Sequence, residues 1–570
     1  MVGKWICFRG DWEIYLAEKV QTRRFQRDFP IAPFWRVDSP YHNVRFTHKF
    51  TLGADDVLTI ESEGRISVAI AKPDPYTFVY GFDGTLALQA GTYELEIWVY
   101  NECGLPALKV SGNEVISDEH WEAGFNQFMM SPCGICDCGE FAPSAYRLPV
   151  REIKPVAVSD CTGGKLYDFG KMVMAYPQFT HCENVPFCCY FGETQAEAMN
   201  DNDCEQIDFF TPENGKHITP RTQAFQFLRV VTKSPYNISV FEEYDPKPIL
   251  FSFTSGDKQI EKIAEISRYT FSLCSREFYL DGIKRDRWIW AGDAYLGAKI
   301  DYYTSFDYAK IKRTVIALLG KSPVVTYINH IMDYTPYTFL TVQEYYEHTG
   351  DAGFLRQIYP MLTEHLRFVL GRRNEFGFLY KQENDWVHVD WNDNLNTDGE
   401  VCFEQILLWA MLKAYVMISG AIGENADECE EIADKLKKQI DAVYWDEMRG
   451  AYRHSRIGGK VGSSVTAYAN VFALLTGFAD AYKKSRITRA LVYDKSIPPI
   501  TTPYMQAFKL SCLCEAGEYE TVQKELRDYF GNMAETGTST FWETYKIGEQ
   551  KESATDMYGR PFGRSQCHIW

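Results

Sequence analysis

The sequence is poor in the features that would place it in a membrane or on a nucleic acid. No apolar run reaches the ~18 residues that a membrane span needs. Basic residues are in deficit, 59 Lys and Arg against 77 Asp and Glu, for a net charge of −18. The field of such a chain repels phosphate backbones and anionic lipid, so neither a nucleic-acid nor a membrane partner is expected. The opening residues, Met1 to Asp11, lack the apolar core of a signal peptide. HExxH and GxSxG are absent. Gly320-Lys321-Ser322 ends like a P-loop, but Val315 stands where its first Gly belongs. Asp390 to Gly399 spaces oxygen ligands like a calcium loop, but Leu395 stands where the sharp turn needs Gly. Cys133, Cys136 and Cys138 have no second ligand pair at matching spacing, since Cys182, Cys188 and Cys189 lie at irregular offsets. No metal and no cofactor is therefore expected. The chain is too long to need a disulfide framework for its 16 cysteines, so reduced thiols and a cytoplasmic location are expected.

What is present is an ordinary globular composition, 45% hydrophobic and 24% charged, with an unusual aromatic share of 15%. Aromatics at that level serve either large packed cores or a sugar cleft, where ring faces cover the C–H faces of a pyranose. At ~150 residues per domain, 570 residues imply several domains. Up to about residue 255 the hydrophobic period is two. Val44, Phe46, His48, Phe50 and Leu52 alternate with polar neighbours, as do Ile66, Val68 and Ile70, and then Tyr93, Leu95, Ile97 and Val99. That pattern predicts half-buried antiparallel strands packed as sandwiches. After Pro246 and Pro248 the period changes: Ile432, Leu436, Ile440 and Val443 predict one helical stripe, and Phe403 to Gly420 is apolar on more than one face. The predicted organisation is a β-sandwich domain over 1–114, a second over 115–255, and a large all-α domain over 256–570.

Leu280 to Asp293 stands apart, with three carboxylates, three cations and two tryptophans in fourteen residues. A carboxyl held by apolar walls has a raised pKa, and one beside Arg stays ionised, so a site with both environments supplies an acid and an anion at one pH. Here the chain resembles a known family. Asp281-Gly282-Ile283-Lys284-Arg285-Asp286-Arg287, followed by Trp290, Gly292 and Asp293, is similar to the active-site signature of the α-L-rhamnosidases of glycoside hydrolase family 78. Thr538 to Thr544 resembles the family's Trp-Glu segment, and Val387 to Trp391 its Asp-Trp loop. Tyr504-Met505 with Ala516-Gly517 resembles the preceding helix hairpin, and Phe191 to Thr194 and Phe227 to Val230 resemble elements of its β region.

The resemblance implies an (α/α)6 barrel behind β-sandwich domains, and hydrolysis of terminal α-L-rhamnose with inversion. It implies Asp286 as general acid and Glu543 as general base. Asp281, Arg285, Trp290 and Asp293 would hold the sugar, with Trp391 and Trp542 as further walls and His568 as a hydrogen-bond partner. Asp281 and Asp293 would do so as ionised acceptors in a wet cleft. Partners would be rhamnose-containing oligosaccharides or plant glycosides. The acid position carries Asp where members have Glu, about 1.5 Å less reach. Ser565 to Trp570 resembles a segment normally followed by the last barrel helix and a C-terminal β domain, so more chain is expected beyond Trp570. Two other outcomes remain open: the same barrel acting on another sugar, and a sugar-binding relative without turnover.

Overall fold

The computed structural model describes residues 1–22, 39–125, 129–392 and 395–570. The described chain divides into two compact units, the first running to Arg147 and the second from Leu148 to Trp570.

The first unit opens with a short strand and helix α1 (Asp11–Thr22). It is built from two antiparallel sheets of five and six strands. The alternating residues read from the sequence form the strands Asn43–Leu52, Arg65–Lys72 and Gly91–Tyr100 of the larger sheet. Val44, Phe46, Ile97 and Val99 from that sheet meet Leu58, Leu108 and Val110 from the other in one buried core, as period-two strands dictate. The boundary predicted after residue 114 lies too early. Glu122–Gly124 pairs with Asn43–Leu52, and Gly134–Ile135 pairs with Ile6–Cys7, so these later strands complete the first unit.

The second unit begins with a single eight-stranded sheet rather than a second pair of stacked sheets. Its spine is Gly164–Thr180, which pairs with Gln223–Val231 over its first part and with Asn237–Glu243 over its second. The strand's aromatic face, Phe169 and Phe179 with Phe187, Phe191 and Phe225, gives the sheet its own core. A four-residue helix, α2 (Gln195–Ala198), follows the strand Phe187–Gly192, capped by the Thr194 hydroxyl on the Glu197 N–H.

The helices then alternate between two kinds. α3 (Lys258–Cys274), α5 (Tyr308–Leu319), α7 (Ala352–Leu370), α9 (Asp427–Tyr444), α11 (Ala481–Tyr493) and α13 (Tyr519–Glu525) leave much of their surface exposed, and all but α13 bury a single stripe. Between them, α4 (Ala291–Thr304), α6 (Tyr334–Thr349), α8 (Cys402–Ile422), α10 (Ala467–Leu475) and α12 (Pro503–Glu515) are buried on most sides. The first kind forms the outer layer and the second the inner ring of a six-hairpin (α/α)6 fold. The predicted stripe of α9 is shifted: Leu436 and Ile440 are buried as read, with Ala433 and Tyr444 in place of Ile432 and Val443. Helix α8 is by length and composition apolar enough to cross a bilayer, contrary to the sequence reading, but 67% of its most apolar window is buried in the protein. Its apolar character follows from its inner position.

The aromatic excess is resolved largely in favour of packing. Tyr295 on α4, Tyr337 on α6, Phe472 on α10 and Phe508 on α12 interlock at the barrel axis, with centroid separations of 5.5 Å for Tyr295–Tyr337 and 4.9 Å for Phe472–Phe508. Tyr295 stacks on Phe508 at 5.9 Å, which joins α12 back to α4.

The charged loop before α4 is tied to the sheet. Lys284, 1% exposed, lies 3.3 Å from Glu193 and 2.9 Å from Glu197, both equally buried, and also donates to the Arg564 carbonyl. Arg287, in the left-handed region at φ 49°, donates to the carbonyl of Thr222 and to Gln206 of the same sheet. Removing one partner of a buried ion pair leaves uncompensated buried charge, at a cost of roughly 3–5 kcal/mol. Lys284→Met is therefore expected to lower the thermal unfolding midpoint clearly. Lys262→Ala, at an exposed pair with Glu265, should change stability by no more than ~0.5 kcal/mol. Equal midpoints for the two variants in a calorimeter would contradict this role for Lys284.

Candidate active site

The loops that precede the inner helices converge on one cavity of about 300 Å³. Its lining includes Asp281, Asp286, Trp290 and Asp293 from the charged loop and the first turn of α4, and Trp386, His388 and Trp391 from the loop before α8. Glu543, Tyr558 and His568 come from the segment after α13. Seven of the nine residues singled out in the sequence thus face one space.

Glu543 is the most constrained. It is 1% exposed, its Oε1 accepts from Arg285 Nη2 at 2.5 Å, and its Oε2 accepts the Ser565 N–H at 3.1 Å. Burial by itself would raise its pKa; the Arg285 guanidinium and the Ser565 N–H together offset that and hold it below the usual carboxylate value. Arg285 does not line the cavity. Its other nitrogen donates to the Gly563 carbonyl and its plane lies 4.9 Å from the Tyr558 ring centre. It is a clamp on Glu543, which corrects the expectation that it would hold sugar directly.

The other carboxyls live differently. Asp281 is buried and accepts the Trp288 N–H at 2.9 Å, and its carbonyl takes the Ile569 N–H. Burial first, then the neighbouring Asp286, pushes its pKa well up. Asp293 is 1% exposed with neither oxygen hydrogen-bonded, and burial followed by repulsion from Asp281 pushes it well up too. A buried carboxyl without donors favours its neutral form. Both are therefore biased toward the neutral form by burial, Asp293 with no hydrogen-bond donor to offset it, rather than lying in the wet cleft that the sequence suggested. Asp286 is more open, its side chain 26% exposed, with the nearest Arg285 nitrogen at 3.6 Å.

His568 is fixed beside Glu543, with Nε2 at 3.7 Å from Oε2, and burial brings its pKa down to about 4. Its ring presses on the Gly282 backbone so closely that a Cβ there would meet it at 2.8 Å, which explains that glycine. Trp542, in contrast, is not a wall of the cavity. It is fully buried, donates from Nε1 to Thr538 Oγ1 at 2.9 Å and packs edge-on against Tyr545. With Glu543 turned to the cavity, its neighbour turns into the core.

Several lining residues were not found in the sequence. His388 lines the cavity with Nε2 unpartnered, and burial lowers its pKa to about 4. The loop carrying it is held by Asp333, whose carboxyl accepts the N–H groups of His388 and Val389 at 3.2 and 3.1 Å. Val389 sits at φ 57°, strained for a β-branched residue, so the loop depends on that anchor. Asp390 accepts from Thr502 and Tyr468 at 2.6 and 2.8 Å, and burial raises both Asp333 and Asp390 to about 6. The Asp-Trp pair was the one signal for this loop in the sequence. Among the described residues, no three His, Cys, Asp or Glu side chains converge as metal ligands would.

The sequence model described as the bacterial alpha-L-rhamnosidase 6 hairpin glycosidase domain matches residues 249–570, more than half of the chain. The chain belongs to this family. A second model, the N-terminal domain of alpha-rhamnosidase-like proteins of Bacteroidetes, matches residues 44–130 and 128–230 of this glycosidase. Among solved structures, a rhamnosidase from Klebsiella oxytoca with rhamnose bound is 20% identical, with a TM-score of 0.64 over 75% of this chain and 95% of that one. A family 78 rhamnosidase from Bacillus sp. GL1 is 18% identical, with a TM-score of 0.62 over 100% of this chain and 69% of its own. At these identities the likeness is one of fold. A solabiose phosphorylase from Paenibacillus borealis is 24% identical over 254 residues, a match that spans 34% of this chain and 32% of that protein.

The Arg285–Glu543 pair sets the sign of one pH effect. Arg285 favours the ionised form of Glu543, the form a general base needs in the role that the sequence resemblance implies for it, so removing the cation raises the Glu543 pKa. Arg285→Met is expected to move the acidic limb of the kcat/KM profile to higher pH by about one unit or more, while Arg285→Lys moves it less. An acidic limb that stays in place in Arg285→Met would show that the clamp does not tune Glu543.

Proposed function

We propose that this glycoside hydrolase releases terminal α-L-rhamnose from rhamnosides, with inversion at the anomeric carbon. The observation that carries the proposal is the buried Glu543, kept ionised by Arg285 and facing the same small cavity as the more open Asp286. Glycosidic hydrolysis needs one carboxyl to protonate the leaving oxygen and one carboxylate to take a proton from water. Glu543 is the base in this reading, because its environment favours the anion. Asp286 is the acid, at the open side where the leaving oxygen would sit.

The volume favours a terminal unit. About 300 Å³ is at the low end of ligand pockets, room for one sugar ring rather than a chain. Asp281 and Asp293, pushed toward the neutral form by burial, with the imidazoles of His388 and His568, offer donors and acceptors to sugar hydroxyls. Trp290 and Trp391 supply flat faces for the C–H side of the ring. A bond made to every hydroxyl of one ring orients the anomeric carbon between acid and base, which is the larger part of the catalytic task. Inversion requires the carboxyls to stand ~6.5–9.5 Å apart so that water fits, and the short Asp286 side chain favours the wide end. Only Cys103 and Cys514 are exposed among the cysteines, which suits a reducing compartment, and the cytoplasm is the location proposed.

The test is the first product formed from an aryl α-L-rhamnoside, followed by NMR before mutarotation. β-L-Rhamnose is expected, with the product unchanged by added phosphate. Asp286→Asn should slow substrates with poor leaving groups most, because an activated aryl group needs less protonation. Glu543→Gln should slow all of them, by ~100-fold or more, since water activation is common to every substrate. An α-anomer as first product, a sugar phosphate, or no release of rhamnose would overturn the proposal.

A further inference from the structure

A second cavity, of about 730 Å³, lies within the second unit, between the eight-stranded sheet, one side of α3 and the segment Gly537 to Ser539. It shares no lining residue with the active-site cavity, and its volume is well within the range of ligand sites.

Its charge runs against that of the chain. The chain carries −18 overall, yet this lining holds six Lys and Arg against four Asp and Glu. Each of the four acids is already held by a cation. Arg151 lies 2.6 Å from Glu242, Arg276 2.8 Å from Glu243 and Lys262 3.0 Å from Glu265, while Asp245 takes Lys310 from α5. Lys171, Lys247 and Arg268 are left exposed on the same lining, with no carboxylate partner among the described residues. Like charges gathered around one recess repel each other, and their field is focused into the space they enclose. A bound anion relieves that repulsion.

Lys171 is displayed by a built feature. Pairing of the spine strand with Gln223–Val231 breaks off at Asp168 and resumes at Val173. The bulged residues between are pinned to the other walls of the cavity. The Met172 N–H donates to Ser539 Oγ at 2.9 Å, and the Met172 carbonyl accepts from the Tyr269 hydroxyl on α3. The Lys171 ammonium lies 4.4 Å from the centre of the Tyr269 ring. A bulge of this kind re-aims a side chain away from its place in the sheet. Arg268 precedes Tyr269 on α3, and Lys247 sits in the connection from the sheet to α3. Three separate elements thus bring one unpaired cation each to one space. Arg268 offers a planar fork for an oxyanion, and the two lysines add mobile point charges.

We propose that this cavity binds a small multivalent oxyanion, a phosphorylated or polycarboxylated metabolite, through Lys171, Lys247 and Arg268. The site is separate from the rhamnoside reading and does not depend on it.

Isothermal titration calorimetry of the full chain with pyrophosphate and with citrate, each against NaCl of equal ionic strength, tests the site. Saturable binding of one ion per chain is expected for at least one probe. Pyrophosphate alone would assign a phosphorylated ligand, citrate alone a carboxylated one, and both an oxyanion of either kind. A triple variant, Lys171→Ala, Lys247→Ala and Arg268→Ala, checked for an unchanged thermal unfolding midpoint, should bind about tenfold more weakly or worse. Lys435→Ala, Lys438→Ala and Lys484→Ala together remove the same charge from exposed positions on α9 and α11, and should leave affinity within about twofold. Saturating L-rhamnose should not displace the anion. Heats no different from NaCl, undiminished binding in the first triple variant, an equal loss in the second, or displacement by L-rhamnose would each overturn the site.

Discussion

One buried ion pair organises the site. Arg285 and Glu543 lie 258 positions apart in the chain and meet at 2.5 Å, joining the loop before α4 to the segment after α13. Neither would tolerate burial alone, because an isolated charge in a low-dielectric interior neutralises or drives unfolding. Together they fix the position of the Glu543 carboxylate and its charge. The neighbouring residues secure the arrangement: Lys284 and Arg287 fasten the loop to the sheet, and Glu193, which receives Lys284, also accepts the Gln566 N–H at 2.8 Å. Glu193 thereby positions the segment that hydrogen-bonds Glu543 through Ser565. Four consecutive charged residues, Lys284 to Arg287, divide into two anchors, one clamp and one carboxyl facing the cavity.

That division separates the acidic groups of the site by environment. Arg285 claims Glu543 for the ionised state. Asp281 and Asp293 lie deeper and are driven toward the neutral state by burial, Asp281 also by Asp286 and Asp293 also by Asp281. Carboxyls of one cavity are therefore held differently, because environment rather than identity decides the charge. The β-sheet ahead of the barrel supports both segments that carry these carboxyls.

The sequence carried the parts of this picture that depend on period and on a contiguous motif. Alternation gave the strands around Val44 and Leu95, and the period change after Pro248 gave the helical region. The loop Asp281 to Asp293 was legible because its charges and indoles are crowded together. What was not legible depends on tertiary direction. Trp542 and Glu543 are adjacent, yet one turns into the core and the other into the cavity, and neither composition nor spacing separates them. His388, Trp386 and Tyr558 sit in loops with no local periodicity, and only the fold brings them to the carboxyls. The first unit was cut short at residue 114 because its last strands are two and three residues long, too brief for a periodic signal. The eight-stranded sheet could not be told from a sandwich, since alternation reports a buried face and not what covers it.

The central claim is the assignment of protons among these acids, and neutron diffraction from deuterated crystals near neutral pH measures it most directly. The account predicts a deuteron on Asp281 and on Asp293, none on Glu543, and singly deuterated imidazoles at His388 and His568. A deuteron on Glu543 with Asp281 and Asp293 both ionised would contradict it.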